Sequence, residues 1–451
     1  MQMLPDSFIS LMRTQLGDEA DRFFSSLLST PEVSIRLNHK ASIPTQDLQP
    51  VAWHPDGYYL NERPSFTLDP LFHAGCYYVQ EASSMFLYQI LQRYVKQDSI
   101  VLDLCAAPGG KSTLISEYLQ GKGLLLSNEV VRSRAFVLSE NLQKWGNGNA
   151  VVTYNQPKDF AERLPNTFDC VVVDAPCSGE GMFRKDKQAI EEWSEQNVRM
   201  CVQRQRDILT QAWKTLRRGG ILIYSTCTYN TFEDDKNAQW ITEELGGEIL
   251  QVPYPTEWGI TETIGYHFYP HKTRGEGFYI AVFRKNDNRE DRRSPFDNKK
   301  EKEKKQKAAS SFQEQATHWL TNNESWSIVE DDRFLQAYPI EYAQQIQILH
   351  KLLICISAGL DVAEVRGKHL YPLHSLAMAK CYRKDSLPST ELTLPQALSY
   401  LRCEALTIPE IPIGVNCVTY QGIPLGFVKN IGNHCNNLYP KEWRIRKQID
   451  G

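Results

Sequence analysis

Between residues 99 and 284 the chain alternates short, continuously apolar runs with helical segments, and nothing else in the sequence limits the fold as much. Leu124-Leu125-Leu126, Cys170-Val171-Val172-Val173 and Ile221-Leu222-Ile223 carry no polar alternation. A strand that is apolar on both faces has to be covered on both faces. Such runs separated by helices therefore predict an α/β fold, a parallel sheet between two helical layers. The predicted strands are 100–104, 123–129, 150–154, 168–174 and 221–225. Helices are predicted over 110–118, 132–145 and 198–216, the last closed by Arg217-Arg218-Gly219-Gly220. Residues 277–283 read as a final antiparallel strand.

The flanks are less regular. Residues 8–28 carry helix-like apolar spacing through Phe8, Leu11, Met12, Phe23, Phe24 and Leu27. Residues 34–38 read as a short strand, the proline- and aromatic-rich 50–70 as mostly loop, and a helix is predicted from Gln80 through Val95. Residues 286–310 are charged and poor in apolar side chains, with the run Lys299-Lys300-Glu301-Lys302-Glu303-Lys304-Lys305, and read as a flexible linker. Beyond it, helix and strand signals mix. A helix at 392–402 and turn-linked short strands then suggest a small barrel. The division expected is 1–95, 96–285, the linker 286–310, 311–390 and 391–451.

Composition excludes several classes. No run of eighteen apolar residues exists to span a bilayer, and the N-terminus lacks a basic region followed by an apolar core. The eleven cysteines are an odd set with no C-x-x-C pair, which argues against a disulfide framework and a zinc site. Free thiols in a reducing cytoplasm, with no metal, are the expectation. The net charge of −4 means that any nucleic-acid surface is a local basic patch.

The first predicted strand runs into Asp103-Leu104-Cys105-Ala106-Ala107-Pro108-Gly109-Gly110-Lys111. Glycine there lets the backbone approach a ligand and a helix start at once. Glu129, at the end of the second strand, is placed to accept both hydroxyls of a ribose. The turn is neither G-x-G-x-x-G nor a Walker loop, so a single ribose-bearing ligand without a pyrophosphate fits better, S-adenosylmethionine being the candidate.

Two cysteines differ from the rest. Free cysteine is commonly core packing, and Cys170, inside an apolar strand, reads so. Cys177, ending Asp174-Ala175-Pro176-Cys177, and Cys227, in Tyr224-Ser225-Thr226-Cys227-Thr228, lie past strand ends among residues whose packing asks for no thiol. A thiolate beside a methyl donor suits one reaction well. Addition at carbon 6 of a pyrimidine makes carbon 5 nucleophilic enough to take a methyl group. Asp174 would hold a proton at ring nitrogen 3, and a second thiol or base would finish the reaction.

Together these motifs resemble the Nop2/Sun-type RNA (cytosine-5)-methyltransferases. The matching segments are 80–85, 103–111, 174–185 and 224–229, in the middle of the chain from about residue 34 to 284. Gly181-Met182-Phe183-Arg184 and the C-terminal extension look most like the bacterial RsmF branch, which acts on small-subunit ribosomal RNA. The resemblance implies a Rossmann-like class I S-adenosylmethionine-dependent methyltransferase core, a small N-terminal α/β module and a C-terminal PUA-like β-barrel RNA-binding region. It implies Cys227 as nucleophile, Cys177 as the helper of product release and Asp174 as a contact to the target cytosine and cofactor. Cys105, Ala106, Ala107, Pro108, Gly109, Gly110, Lys111 and Glu129 would bind S-adenosylmethionine. Where the family often has an aspartate after the third strand, this chain reads Tyr154-Asn155-Gln156, and Asn155 would reach the adenine amino group. Lys429, Lys441, Arg444, Arg446 and Lys447, among Tyr439 and Trp443, would meet RNA backbone and bases. The implied partner is small-subunit (16S) rRNA, free or in the assembled subunit, met by a monomer. The same chemistry on tRNA, and a noncatalytic RNA-binding assembly factor, are the alternatives. Intact Cys177, Cys227, Asp174 and Lys111 count against the second.

Overall fold

The computed structural model describes residues 4–286, 293–297, 310–409 and 411–447. Its centre is the predicted sheet. The core strands are β1 (Ile100–Asp103), β2 (Leu124–Asn128), β3 (Ala150–Thr153), β4 (Phe168–Asp174), β5 (Leu216–Thr226), β6 (Tyr266–Phe268), β7 (Phe278–Lys285) and β8 (Cys355–Ala358). They lie in the order β8-β3-β2-β1-β4-β5-β7-β6. Strands β1 to β5 are parallel, β7 runs antiparallel to β5, and β6 antiparallel to β7. The chain order reverses between β1 and β4, the position at which open sheets of this kind bind ligands beyond the carboxyl ends of their strands.

Helices cover both faces, as the apolar strands require. The helices α1 (Gly110–Leu119), α2 (Arg132–Trp145), α3 (Pro157–Arg163), α4 (Glu195–Thr215) and α5 (Asp235–Leu245) pack in two layers. Ile115, Leu119 and Leu138 of α1 and α2 bury against Val101, Leu125 and Val172 on one face. Phe160, Leu209, Ala212 and Ile241 of α3, α4 and α5 bury against Leu102, Leu126, Val171 and Leu222 on the other. Each such leucine, isoleucine, valine or phenylalanine side chain contributes about 1.5–3 kcal/mol when fully withdrawn from water.

Several expectations change at the edges. Helix α4 stops at Thr215, and the run Arg217–Gly220 follows as an irregularity in β5 between the pairs Phe168–Leu216 and Cys170–Ile221, with Gly219 at φ +75°. The apolar N-terminal stretch is two helices, Asp6–Leu16 and Ala20–Leu27, broken where Gly17 takes φ +54°. Residues 50–70 supply a strand, Gly57–Tyr59, that pairs Ser34–Leu37. The helix expected from Gln80 begins at Leu87, after a 3-10 turn over Ser83–Phe86. The linker expected at 286–310 lies mostly outside the described residues, its lysine-glutamate run entirely so.

The N-terminal module has a four-stranded antiparallel sheet bound to the core through Arg36, which is buried and donates to Gln80 Oε1 at 2.8 Å and Thr113 Oγ1 at 2.6 Å. Its two helices pack Phe8, Met12 and Phe23 against Phe183, Trp193 and Tyr229, residues that follow the two candidate cysteines.

The region after residue 310 is joined to the core. Strand β8 adds antiparallel to the β3 edge, and the helix Ala343–Leu352 buries Ile346 and Leu349 against the core face. Four further strands, from Trp326 to Pro372, form a sheet of their own. The last unit is a four-stranded sheet, Ser389–Glu391, Gly414–Tyr420, Ile423–Asn430 and Cys435–Asn437 in sequential order. It shares a core with the N-terminal sheet, where Leu398, Leu425 and Val428 meet Ile35, Cys76 and Tyr77. The stacking expectation fails for Tyr439, which is buried between His374 and Tyr400. Lys429 is also occupied, donating to the Tyr371 hydroxyl at 2.8 Å. Lys441, Arg444, Arg446 and Lys447 are exposed. Among the described residues no helix is long and apolar enough to cross a membrane.

Candidate active site

A cavity of about 460 Å³ opens at the carboxyl ends of β1, β4 and β5. Its wall includes Asp103, Cys105, Ala106, Ala107, Pro108, Gly110, Lys111, Asp174 and Cys227, with Gln80 and Lys185 from outside the expected set. The turn after β1 is tied down on every side. Leu104 N–H donates to Val172 O, Ala106 N–H to Asn128 O, and the Asn141 amide to Pro108 O. Gly109 takes φ +119°, a region other residues avoid, and a Cβ there would stand 3.2 Å from Leu138 Cδ1. The close packing of turn on helix thus accounts for this glycine.

Asp103 ends β1 fully buried. One oxygen accepts from Ser112 Oγ at 2.6 Å, while Oδ1 has no partner within the protein. Burial pushes its carboxyl up to about 7, against the pull of the Ser112 hydroxyl bond. A buried, partnerless acid on the wall of a cavity is the kind of group that a cationic ligand satisfies. This residue was missed as a site residue in the sequence, although an acid ending an otherwise apolar strand was the available signal.

Asp174 ends β4. Its Oδ2 lies 2.8 Å from Lys111 Nζ, and its Oδ1 accepts from Ser225 Oγ at 2.7 Å. Burial pulls the Lys111 ammonium down, but Asp174, aided by Asp103 and Cys227, outweighs it and leaves the lysine pKa raised. Lys111, expected on the cofactor, is therefore first a support for Asp174.

The two cysteines meet. Cys177 Sγ and Cys227 Sγ are 3.1 Å apart. Cys227 faces the cavity, and Cys177 stands behind it, outside the cavity wall. The hydrogen bond with Cys227, then burial, push the Cys177 thiol well up. At that separation either thiol can donate to the other. The loops are also bonded to each other, Gly181 N–H donating to Cys227 O at 2.8 Å.

Besides Cys177, three predicted cofactor residues lie outside this cavity wall. Gly109 packs on α2. Glu129 is buried, accepts from Val131 N–H at 2.9 Å and pairs with Arg134 at 3.3 Å. Asn155 is used elsewhere: its Nδ2 donates to Ile354 O and its Oδ1 accepts from Ile354 N–H, each at 3.1 Å. Its amide clamps the segment leading into β8, which a sequence without that distant strand could not reveal.

Comparison with known proteins agrees with this picture. Residues 90–284 match the model of the 16S rRNA methyltransferase RsmB/F family, 4–82 that of the N-terminal domain of 16S rRNA methyltransferase RsmF, and 388–445 that of the methyltransferase RsmF PUA domain. The ribosomal RNA small subunit methyltransferase F of Erwinia tasmaniensis is 31% identical over 472 residues, covering 97% of this chain and 96% of that protein. The chain belongs to the RsmF branch of the 16S rRNA methyltransferase RsmB/F family. The protein of the same description from Aliivibrio fischeri is 29% identical and covers 97% of both chains. A methyltransferase homolog protein from Pyrococcus horikoshii is 26% identical with a TM-score of 0.53, covering 62% of this chain and 95% of its own. NSun6 from the same organism, solved with SFG, is 20% identical with a TM-score of 0.55, covers 63% of this chain and 99% of its own, and speaks to the fold alone. The Nop2/Sun resemblance read from the motifs is borne out, and with it an S-adenosylmethionine-dependent rRNA methyltransferase fold. Within the RsmB/F chain the three matched segments coincide with the N-terminal module, the β1–β7 sheet and the last four-stranded sheet.

Proposed function

We propose that this protein methylates carbon 5 of cytosine in 16S rRNA, with Cys227 as the nucleophile and Cys177 as the group that releases product. One observation carries the reading: two sulfurs 3.1 Å apart, of which only Cys227 faces the cavity walled by the turn after β1. The residues fit S-adenosylmethionine, since the partnerless Asp103 oxygen can meet a cationic group. Bound there, the cofactor supplies an electrophilic methyl group.

The protein's own groups do the rest. The target cytosine must leave its stack, at a cost of a few kcal/mol that RNA contacts offset. Cys227 adds to carbon 6, and its proton passes through Asp174 to ring nitrogen 3. The Lys111 ammonium and the Ser225 hydroxyl fix Asp174 for that exchange. Carbon 5, now nucleophilic, takes the methyl group. Cys177 then gives its proton to the departing Cys227 sulfur and is replenished by the proton from carbon 5. The proton on nitrogen 3 is lost to solvent as the ring regains its aromatic form.

The name of the relatives, small subunit methyltransferase F, supports 16S rRNA as substrate. The test is methyl transfer by wild type and Cys227→Ala to assembled small subunits, naked 16S rRNA and tRNA, followed by bisulfite mapping. Wild type is expected to methylate a cytosine in 16S rRNA and Cys227→Ala none. A methylated tRNA with untouched 16S rRNA, or full turnover by Cys227→Ala, contradicts the reading.

A further inference from the structure

Two consecutive acids behind the cysteines are fully buried, Glu233 and Asp234. Neither bonds a sulfur, and neither lines the cavity. Burying two carboxylates side by side is costly unless their oxygens meet donors. The donors they meet are informative.

Glu233 Oε2 accepts from the Ser178 N–H at 3.0 Å and from Gln205 Nε2 at 2.7 Å. The same Gln205 Nε2 donates to Pro176 O at 3.1 Å. The residues before and after Cys177 are thus both held by the Glu233–Gln205 pair. Asn237 Nδ2 fixes Gln205 in turn, donating to its Oε1 at 2.7 Å. Asp234 Oδ1 accepts from Thr226 Oγ1 at 2.6 Å and Thr228 Oγ1 at 3.0 Å. The residues before and after Cys227 are thus both held by Asp234. The two anchors share a peptide bond, so the separation of the loops they hold is set by one rigid piece of backbone at the start of α5. Glu180 braces the far side, accepting from Tyr229 N–H, Asn230 N–H and Asn230 Nδ2.

We propose that Glu233 and Asp234 are positioning residues that set the spacing of the two thiols, Glu233 through the Cys177 loop and Asp234 through the Cys227 loop. The inference rests on the covalent reading above and extends it to residues that touch no reacting atom. Hydrogen-bond chemistry explains why an acid stands at position 233. Every hydrogen bond of the Glu233 side chain is one that it accepts, and a carboxylate is the one side-chain group that accepts on both oxygens and donates on neither.

That chemistry also designs the test. In Glu233→Gln, an amide NH2 must face a donor whichever way it turns, since Asn230 Nδ2 donates to Oε1 at 2.9 Å and the Ser178 and Gln205 groups to Oε2. Asp234 has hydrogen bonds on Oδ1 only. Asp234→Asn therefore keeps its acceptor, and Asp234→Ala loses it. The measurements are single-turnover methyl transfer to 16S rRNA, the protein–RNA adduct surviving a denaturing gel, and binding of S-adenosylhomocysteine by calorimetry. Glu233→Gln is expected to slow adduct release about tenfold and accumulate adduct, as Cys177→Ala does, because sub-ångström misplacement of reacting groups carries costs of that order. Asp234→Ala is expected to slow adduct formation about tenfold by the same reasoning, with Asp234→Asn recovering most of the loss. S-adenosylhomocysteine affinity is expected to stay within about threefold of wild type, well under the 1.4 kcal/mol of a tenfold change. If Cys177→Ala itself traps no adduct, the covalent reading fails. If Cys177→Ala traps adduct while Glu233→Gln releases at the wild-type rate, the positioning role alone is refuted. An adduct-formation loss in Glu233→Gln as large as in Asp234→Ala refutes it as well, and the Asp234→Asn and Asp234→Ala comparison decides should Glu233→Gln not fold.

Discussion

Gly181→Ala perturbs the distance on which the proposed mechanism depends. The Gly181 N–H donates to Cys227 O at 2.8 Å, and a Cβ on Gly181 would stand 2.9 Å from that same carbonyl oxygen and 2.9 Å from Gly277 O. Ordinary contact begins at 3.4 Å. Both neighbours are backbone, so neither can swing away as a side-chain tip could. The substitution therefore has to open the contact by about 0.5 Å, and one of the two groups that must yield belongs to Cys227 itself. Misplacement by about 1 Å costs on the order of a hundredfold in rate, so half of that implies about tenfold, or about 1.4 kcal/mol of barrier. Overpacking also costs about 1–3 kcal/mol of stability. The assay is single-turnover methyl transfer at saturating cofactor and RNA, well below the melting temperature of the variant, with adduct sampled through the time course. Both adduct formation and release are expected to slow. A folded Gly181→Ala enzyme that runs both steps at the wild-type rate would refute the idea that thiol spacing governs them.

Three other outcomes are expected. Lys111→Met leaves the Asp174 carboxylate without its cation. Removing one partner of a buried pair costs about 3–5 kcal/mol, and because Asp174 is 35% exposed the loss should be nearer about 2 kcal/mol. Urea denaturation checks this, and an unchanged midpoint contradicts it. Asn155→Ala removes both bonds to Ile354 and should cost about 2 kcal/mol of stability with little change in cofactor affinity. A large affinity loss at unchanged stability would instead restore Asn155 to the adenine. Cofactor binding should depend on pH through Asp103, whose carboxyl burial pushes up to about 7. Below that value the empty site holds a proton that a cationic ligand must displace, so Kd rises about tenfold per pH unit of acidification, whereas above about pH 8 it is flat. Calorimetry across pH tests this: Asp103→Asn should remove the dependence, and a flat wild-type profile contradicts it.

The core was readable because burial on both faces leaves a simple mark. Cys170 to Val173 admits no polar residue, and β4 occupies its predicted span, 168–174. The catalytic candidates were readable because Cys177 and Cys227 sit where packing needs no sulfur. What escaped is set by distant partners. Strand β8 is four residues with a serine in it, and only the open edge of β3 makes it a strand of this sheet. Asn155 is bound by that same segment, so the adenine role inferred from its position could not be weighed without it. Glu233 and Asp234 sit in Thr231-Phe232-Glu233-Asp234-Asp235-Lys236, which in sequence is an ordinary solvated turn. Their burial follows from the meeting of two loops fifty residues apart in the chain, 177 and 227. Tyr439 misled for the same reason: an aromatic among basic residues suggests stacking until the His374 and Tyr400 rings are seen to enclose it.

The unequal division of labour between the two thiols is tested most directly on a denaturing gel. Cys177→Ala, Cys227→Ala and the double variant are each incubated with 16S rRNA and methyl-labelled cofactor, then denatured. Cys177→Ala alone should retain a labelled protein–RNA band, since Cys227 can add and cannot be released. Cys227→Ala and the double variant should retain none. A band in the double variant, or its absence from Cys177→Ala, would contradict the account.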